Sequence, residues 1–411
     1  MKKYLRDIEE KLSWLVYDPA SSAYALIVRT VFAPVFLAHF SAGILTPSQI
    51  TSRWSLVAAA AGIAAGVITV FSGPVVDARR KKVPMVALFT AVGVLSCLAY
   101  LLPALQRPNL ILAVSFCGIL SFMAANSFYD SLLINITTPA QRDKISSLGY
   151  ALGYAGGLLS FLLCFASSNI FKFEQFYIAP FSVAALWWGC GAIPLLLNVK
   201  ETPALESTEK IRIQDTLKYI FSQKNILLFL IAYFLYIDGV GTILLAATPL
   251  AAGLNISTDL IIITILLLQL IGLPATLLYG KLAGKFSAKT MIKIAISVYI
   301  AIAVTVTIMS FCRNITVKQV LFYITAFLVG TSQGGIQSLS RSVFSKIIPE
   351  KRAAELFAVY NIFGKFTTIV GPVFIAVSTY FWDKAELGIT MLLLPFILGF
   401  ILLSKVKVPE N

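Results

Sequence analysis

Long apolar runs, broken at regular intervals by short clusters of basic residues, dominate this chain. Twelve of the runs reach the roughly 20 residues that an α-helix needs to cross a bilayer. They cover 21–43, 54–76, 84–104, 109–136, 146–168, 176–198, 224–248, 258–280, 289–312, 317–345, 354–380 and 385–404. The runs at 109–136 and 317–345 turn polar toward their C-terminal ends, so they are expected to project a turn or two beyond lipid. The longest polar break, 199–223, separates an N-terminal set of six spans (1–198) from a C-terminal set (224–411). Its second part is amphipathic and suits a helix lying along a membrane surface.

The pattern repeats. "TTPAQRDKISSLGYALGYAGG" (137–157) lines up with "IIPEKRAAELFAVYNIFGKFT" (347–367), placing Pro139 on Pro349, Arg142 on Arg352 and Tyr150 on Tyr360. "GPVVDARRKKVP" (73–84) is echoed by "GKLAGKFSAKTM" (280–291), placing Gly73 on Gly280. Two parallel six-span repeats define an all-α integral membrane fold of two pseudo-symmetric six-helix bundles. This is the layout of major facilitator transporters.

Composition supports this reading. The chain is 58% hydrophobic and 13% charged, with a mean hydropathy of +0.86. The formal charge of +14 does not imply a nucleic-acid partner, because the basic residues sit in short loops. With a cytoplasmic N-terminus, inside segments hold 25 of the 33 Lys and Arg and outside loops hold 6. Both termini are therefore expected in the cytoplasm. The charged, amphipathic N-terminus has no short apolar core with a small-residue cleavage site, so no cleaved signal peptide is expected. The five cysteines, Cys97, Cys117, Cys164, Cys190 and Cys312, lie in or at the edge of apolar runs. They read as buried small hydrophobes, with no disulfide or metal site.

Four stretches carry a family resemblance: "YDPASSAYA" (17–25), "FYDSLLINITTPAQRDKISSLGYALGYAGG" (128–157), "AYFLYIDGVGTI" (232–243) and "GGIQSLSRSVFSKIIPEKRAAELFAVYNIFGKFTTIVGP" (334–372). The chain resembles the vacuole-effluxer branch of the major facilitator superfamily, named for an autophagy-related vacuolar amino-acid exporter. The resemblance implies alternating access and a small polar substrate such as an amino acid. It also implies a gating loop at Gly73–Lys82 built around Asp77. The chain departs from that family at Arg29, where an apolar residue is usual, and at Asp130, where Asn is usual. It also has Gly284 in the second-half echo, where an acid is common.

Charges inside spans mark pathways more often than not. Arg29 on span one and Asp238 on span seven occupy equivalent places in the two halves. Arg29 suits a carboxylate or phosphate, while Asp238 suits an amine or a coupling proton. Gly239 and Gly241 are expected to loosen the helix around Asp238. Asp130, one turn from Asn126 on span four, is a second candidate partner for Arg29 and a second proton-coupling candidate. Gln333, Gln337 and Arg341 follow at four-residue spacing on span ten, the two glutamines as cavity liners and Arg341 as a gate residue. Asn361 and Lys365 form a similar pair on span eleven, with Lys365 able to snorkel. Asp77, Arg79 and Arg80 close span two as gate candidates, together with Arg142 and Arg352. Asp18 before Pro19 reads as an N-cap for span one. His39, the only histidine, reads as interfacial. Gly149, Gly153 and Gly157 share a packing face on span five.

No Walker loop or HExxH motif is present, so neither an enzyme nor a cofactor is indicated. Energy would come from the substrate's own gradient or an ion gradient, proton coupling being one option. The expected partners are a small-molecule substrate and the bilayer, and the expected state is a monomer. An amino acid or related zwitterion is the leading substrate and an anionic or phosphorylated metabolite its rival. A non-transporting receptor or scaffold on the same fold is the contrasting class.

Overall fold

The computed structural model describes residues 2–168, 178–201, 213–254, 256–365, 373–374, 377–378 and 385–409. Among them, eleven helices are long and apolar enough to cross a membrane. The expected span 354–380 is described without interruption as helix to Lys365 and beyond that only at 373–374 and 377–378, the rest lying outside the described residues.

The first helical run comprises α1 (Lys2–Ala23), a π-helical stretch (Tyr24–Phe32) and α2 (Ala33–Phe40). Then come α3 (Pro47–Arg79), α4 (Lys82–Ala99), α5 (Pro108–Ile136), α6 (Pro139–Ser168) and α7 (Ile178–Asn198). A short helix, α8 (Ile213–Ser222), occupies the second part of the polar break. It exposes Leu217 and Phe221 while burying Ile220, as an amphipathic helix should. The chain continues through α9 (Lys224–Gly253), α10 (Thr258–Phe286), α11 (Ala288–Phe311), α12 (Ile315–Ile347), α13 (Ala353–Lys365), α14 (Ala385–Met391) and α15 (Leu393–Lys405).

Local chemistry fixes several ends. Thr46 and Gln49 form a reciprocal capping box before α3, with Pro47 at the first helical position. Arg80 ends the same helix in the left-handed region, at φ 51. The Asn314 side chain accepts from Thr316 and Val317 to start α12.

The first span departs from its sequence reading. Its apolar helix runs from Leu5 to Phe40. That is about 54 Å at 1.5 Å per residue, against a hydrocarbon core of about 30 Å. Asp18 and Pro19 therefore lie inside the helix, and Asp18 is not an N-cap. Apolar residues at Leu5, Ile8, Leu12 and Val16 continue one exposed face through the charged N-terminal turns, so the helix starts well before the long apolar run.

The chain divides into two compact units. The first comprises Met1–Thr138, Leu152–Thr216 and Pro349–Val359. Within it α1 packs on α7, α4 on α5 and α7, and α3 on α5. The second comprises Pro139–Ala151, Leu217–Ile348 and Tyr360–Asn411. Within it α12 packs on α10 and α11, and α9 on α15. Two helices change membership along their length. The first turns of α6 belong to the second unit, and the first turns of α13 belong to the first. These are the two segments that align in the sequence repeat.

Two expectations about small residues are corrected. Cys97 and Cys164 are buried, but Cys117 and Cys190 are exposed on apolar helix faces and Cys312 is intermediate. In a membrane protein an exposed position can face lipid, so an apolar run does not imply burial. Gly239 does not loosen α9, which is continuous through it. A Cβ there would lie 2.5 Å from the Phe396 ring, so the glycine seats α15. Gly153 and Gly157 of α6 do face the first span, a Cβ at Gly157 lying 3.6 Å from Leu26, and Gly156 joins them. A Cβ at Gly153 would sit 3.0 Å from Ser22 Oγ, and one at Gly156 would meet Pro19 at 2.3 Å.

Candidate functional site

In the first unit, α3 ends with Asp77, which is buried at 5% exposure. Its carboxylate accepts the backbone N–H of Ala354 at 3.0 Å and of Glu355 at 2.9 Å, the opening residues of α13. A carboxylate placed on unpaired N–H groups at a helix N-terminus is favoured both by hydrogen bonding and by the helix dipole. Gly73, one turn earlier, makes the approach possible, since a Cβ there would lie 2.7 Å from Glu355 Cα. Lys82, with no exposed surface, lies 3.4 Å from Asp77 and donates to Asn135 at 2.9 Å. Asn135 in turn donates to Glu350 at 3.1 Å, and Arg80 stands 3.7 Å from the same carboxylate. Arg352 pairs with the buried Glu355. Arg79 points outward and is exposed.

The second unit contains the corresponding arrangement at the start of α6. Arg142 donates to the Ser345 carbonyl at 2.7 Å. Asp143 accepts from Ser342 Oγ at 2.6 Å and from Lys346 Nζ at 2.7 Å. Arg341, 1% exposed, donates to Ser146 Oγ at 2.9 Å and to its carbonyl at 3.0 Å, and its guanidinium lies 4.4 Å from the Tyr150 ring centre. Ser146 donates onward to the Ser338 carbonyl at 2.7 Å. Gly280 plays the part of Gly73, with a virtual Cβ 2.5 Å from Ser147 Cβ.

Sequence reasoning missed Asp143, Ser146, Lys346, Lys82 and Glu355. The four charged ones lie near helix ends next to loops, where they resemble solvated residues, and Ser146 is a neutral hydroxyl inside α6. The alignment of 137–157 with 347–367 already put Asp143 beside Arg142, and that was the available signal.

The candidate substrate residues fall at different places. Asp130 is 7% exposed and Asn126, one turn away, donates to the Phe122 carbonyl. Tyr129 donates to Asp18 at 2.7 Å and stacks on Trp14 at 4.5 Å, while Trp14 Nε1 donates back to the Tyr129 carbonyl. Asp18, Tyr129 and Asp130 therefore share one level of the first unit. Arg29 is eleven residues beyond Asp18, about 16 Å along the helix. Among the described residues it forms no ion pair, so Asp130 is not its counter-charge here. Asp238, 1% exposed, and Gln333, Gln337 and Asn361, all half-buried, lie in the second unit. Lys365 closes the described part of α13. His39 is exposed and makes an edge contact with Phe40.

An apolar cleft also opens in the second unit among Ile243, Leu268, Val306, Phe322 and Val329. Its hydroxyls, Thr264 and Thr325, are spent on carbonyls of their own helices. It offers carbon to a ligand and no polar group.

Helix number and repeat together give the layout of a major facilitator transporter. Solved structures agree on the fold. A bacterial homologue of the iron transporter ferroportin, in an outward-facing state, superimposes with a TM-score of 0.73 at 14% identity, over 97% of this chain and 98% of that one. The proton:xylose symporter XylE bound to 6-bromo-6-deoxy-D-glucose gives 0.71 at 14% identity, over 98% and 96%. Residues 134–411 match the family model "Vacuole effluxer Atg22 like", and the chain belongs to that family. It is 31% identical to the uncharacterized MFS-type transporter YxiO of Bacillus subtilis, over 100% of this chain and 96% of that protein. Autophagy-related protein 22 of Vanderwaltozyma polyspora is 27% identical over 57% of this chain and 51% of its own length. The chain is a multi-pass membrane protein and a secondary transporter of major facilitator type.

Proposed function

We propose that the chain moves a small polar metabolite, an amino acid or related zwitterion, by alternating access of two six-helix bundles, 1–198 and 224–411. Both termini lie in the cytoplasm and the membrane is a bacterial inner membrane. The observation that carries the reading is the presence of charge of both signs within spans. Arg29, Asp130 and Asp238 are joined by the amides of Asn126, Gln333, Gln337 and Asn361 as substrate contacts. A scaffold could replace all seven with apolar residues at no loss. Asp238 and Asp130 are the groups available to couple a proton. An anionic or phosphorylated metabolite is the second reading, favoured by Arg29 having no ion-pair partner among the described residues.

The two docked helix starts are the latches of the cycle. Asp77 holds α13, and the Arg341, Arg142 and Asp143 group holds α6. Each must release for the substrate path to change sides. Arg79, being exposed, contributes charge to the loop and little to the latch, while Arg80 and Arg352 act through Glu350 and Glu355. The protein works as a monomer.

The test is uptake into proteoliposomes containing the purified chain, with radiolabelled leucine, glutamate, succinate and phosphate, with and without an imposed pH gradient. Uptake of one solute above empty liposomes, lost in Asp238→Asn, supports the reading. Absence of uptake for all four, with intact folded protein, refutes it.

A further inference from the structure

Arg29 stands at a break in its helix that the sequence explains. From Tyr24 to Phe32 the backbone adopts π-helical turns. Thr30 Oγ1 donates to the carbonyl five residues back, Ala25, at 2.7 Å, and the Ala33 N–H reaches Val28 in the same register. Pro34 follows and has no N–H, so the carbonyl of Thr30 loses its ordinary helical donor. Wide π turns inside α-helices recur at functional sites because they displace a side chain and free backbone groups.

The depth of the break matters. Arg29 is eleven residues from Phe40, where the helix closes, or about 16 Å. Half of a hydrocarbon core is about 15 Å. With Phe40 at the edge of the hydrocarbon core, the guanidinium falls near the bilayer midplane, where snorkelling to a headgroup is harder than at a helix end. It is half-buried, and its electrostatic neighbour is Tyr24. The Tyr24 ring is itself held between Phe122 at 5.4 Å and Trp188 at 5.1 Å. A cation at this depth with no ion-pair partner among the described residues is costly until an anion arrives. Asp18 sits about 16 Å away along the same helix, and Asp130 of α5 lies at the level of Asp18, next to its partner Tyr129, too far to share one small ligand with Arg29.

We infer that Arg29 is a mid-membrane subsite for the anionic group of the substrate, a carboxylate or a phosphate, and that Asp18 and Asp130 do not read the amine of the same molecule. The inference rests on the transport reading and narrows it to solutes that carry an anionic group. The planar guanidinium fork suits either anion in a two-point contact. The same chemistry could come from a soluble metabolite or from an anionic lipid headgroup reaching inward.

The experiment uses the full chain in a neutral detergent, as wild type, Arg29→Gln and Arg29→Lys. Each is titrated with succinate, inorganic phosphate, leucine and xylose, with melting temperature as the readout. A parallel arm titrates phosphatidylglycerol. The expected result is that at least one anion stabilises wild type, binds about tenfold or more weakly to Arg29→Gln, and is partly recovered in Arg29→Lys. Equal binding by wild type and Arg29→Gln overturns the inference, and so does stabilisation by phosphatidylglycerol alone. If no anion stabilises wild type, it is also overturned. Gel filtration and helical circular dichroism establish that Arg29→Gln is folded, and Arg29→Lys keeps the charge if it is not. Uptake by the same preparations separates the two levels of argument. Transport of xylose, undiminished in Arg29→Gln, leaves the transporter standing and removes the anion subsite. Anion binding that depends on Arg29 with no uptake of any probe does the reverse.

Discussion

The starts of α13 and α6 are held in place by different chemistry. At α13 a single carboxylate, Asp77, takes two backbone N–H groups and faces one buried lysine. At α6 the grip is spread over Arg142, Asp143, Ser146, Arg341, Ser342 and Lys346, mostly through side chains. The repeat explains the difference. Aligning Gly73 with Gly280 puts Gly284 where Asp77 stands, so the C-terminal end of α10 has no acid to offer. A Cβ at Gly284 would meet nothing within 4 Å, so space is present and the charge is missing. The acid has moved to the docked helix itself, as Asp143. A pseudo-symmetric fold can thus keep the close approach, through Gly73 and Gly280, while changing what latches it.

This contrast is most exposed to Asp77→Ala. The substitution removes both caps and leaves Lys82 buried beside no carboxylate. Breaking a buried pair from one side costs about 3–5 kcal/mol. A fall in melting temperature together with loss of most transport is expected. A variant that melts and transports like wild type would show that the first latch does not hang on one residue.

Lys346→Met should cost less, about 2 kcal/mol, because Asp143 keeps the Ser342 hydroxyl and stands in the first turns of α6, where the helix dipole favours an anion. Melting curves of Lys346→Met and Ser342→Ala, alone and combined, check this. If the grip is distributed, each single loss is moderate and the pair exceeds either. A single variant as severe as Asp77→Ala would make the two latches alike.

The sequence made the fold legible because lipid demands long apolar helices and because the two halves repeat. The latches were legible only in part. Asp77 was visible through its loop motif, and Arg142 and Arg352 through the alignment. Asp143 and Lys346 were not, since a charge in a first or last helical turn looks solvated until its partner, here about 200 residues away, is known. Asp18 was misread for a related reason. An Asp-Pro pair is a good helix start, and only the folding of the amphipathic N-terminal turns onto the same helix shows it to be interior. The π stretch around Arg29 left one trace, the placement of Pro34, which does not by itself distinguish a kink from a widened turn.

Gly73→Ala and Gly280→Ala test what the two latches share. Each new methyl would fall under 3.0 Å from its neighbour, backbone Cα in one case and Ser147 Cβ in the other. Overpacking of this kind costs about 1–3 kcal/mol. The expected result is a similar drop in melting temperature for both, with transport altered in both. If Gly280→Ala were silent, the close approach of α6 would not matter to its latch.

The smallest effect is expected at the third glycine, and its sign is opposite. Gly284 lies in the last turn of α10, has an ordinary helical backbone and faces open space. Alanine there loses no contact and restricts the unfolded chain, which stabilises a helix by about 0.5–1 kcal/mol. A small rise in melting temperature with unchanged transport is the expected outcome. A loss of transport from so mild a change would mean that this empty position, where the first half carries its acid, is occupied at another stage of the cycle. In that case the second latch would be built from α10 after all, and the contrast between the two helix starts would hold for one state only.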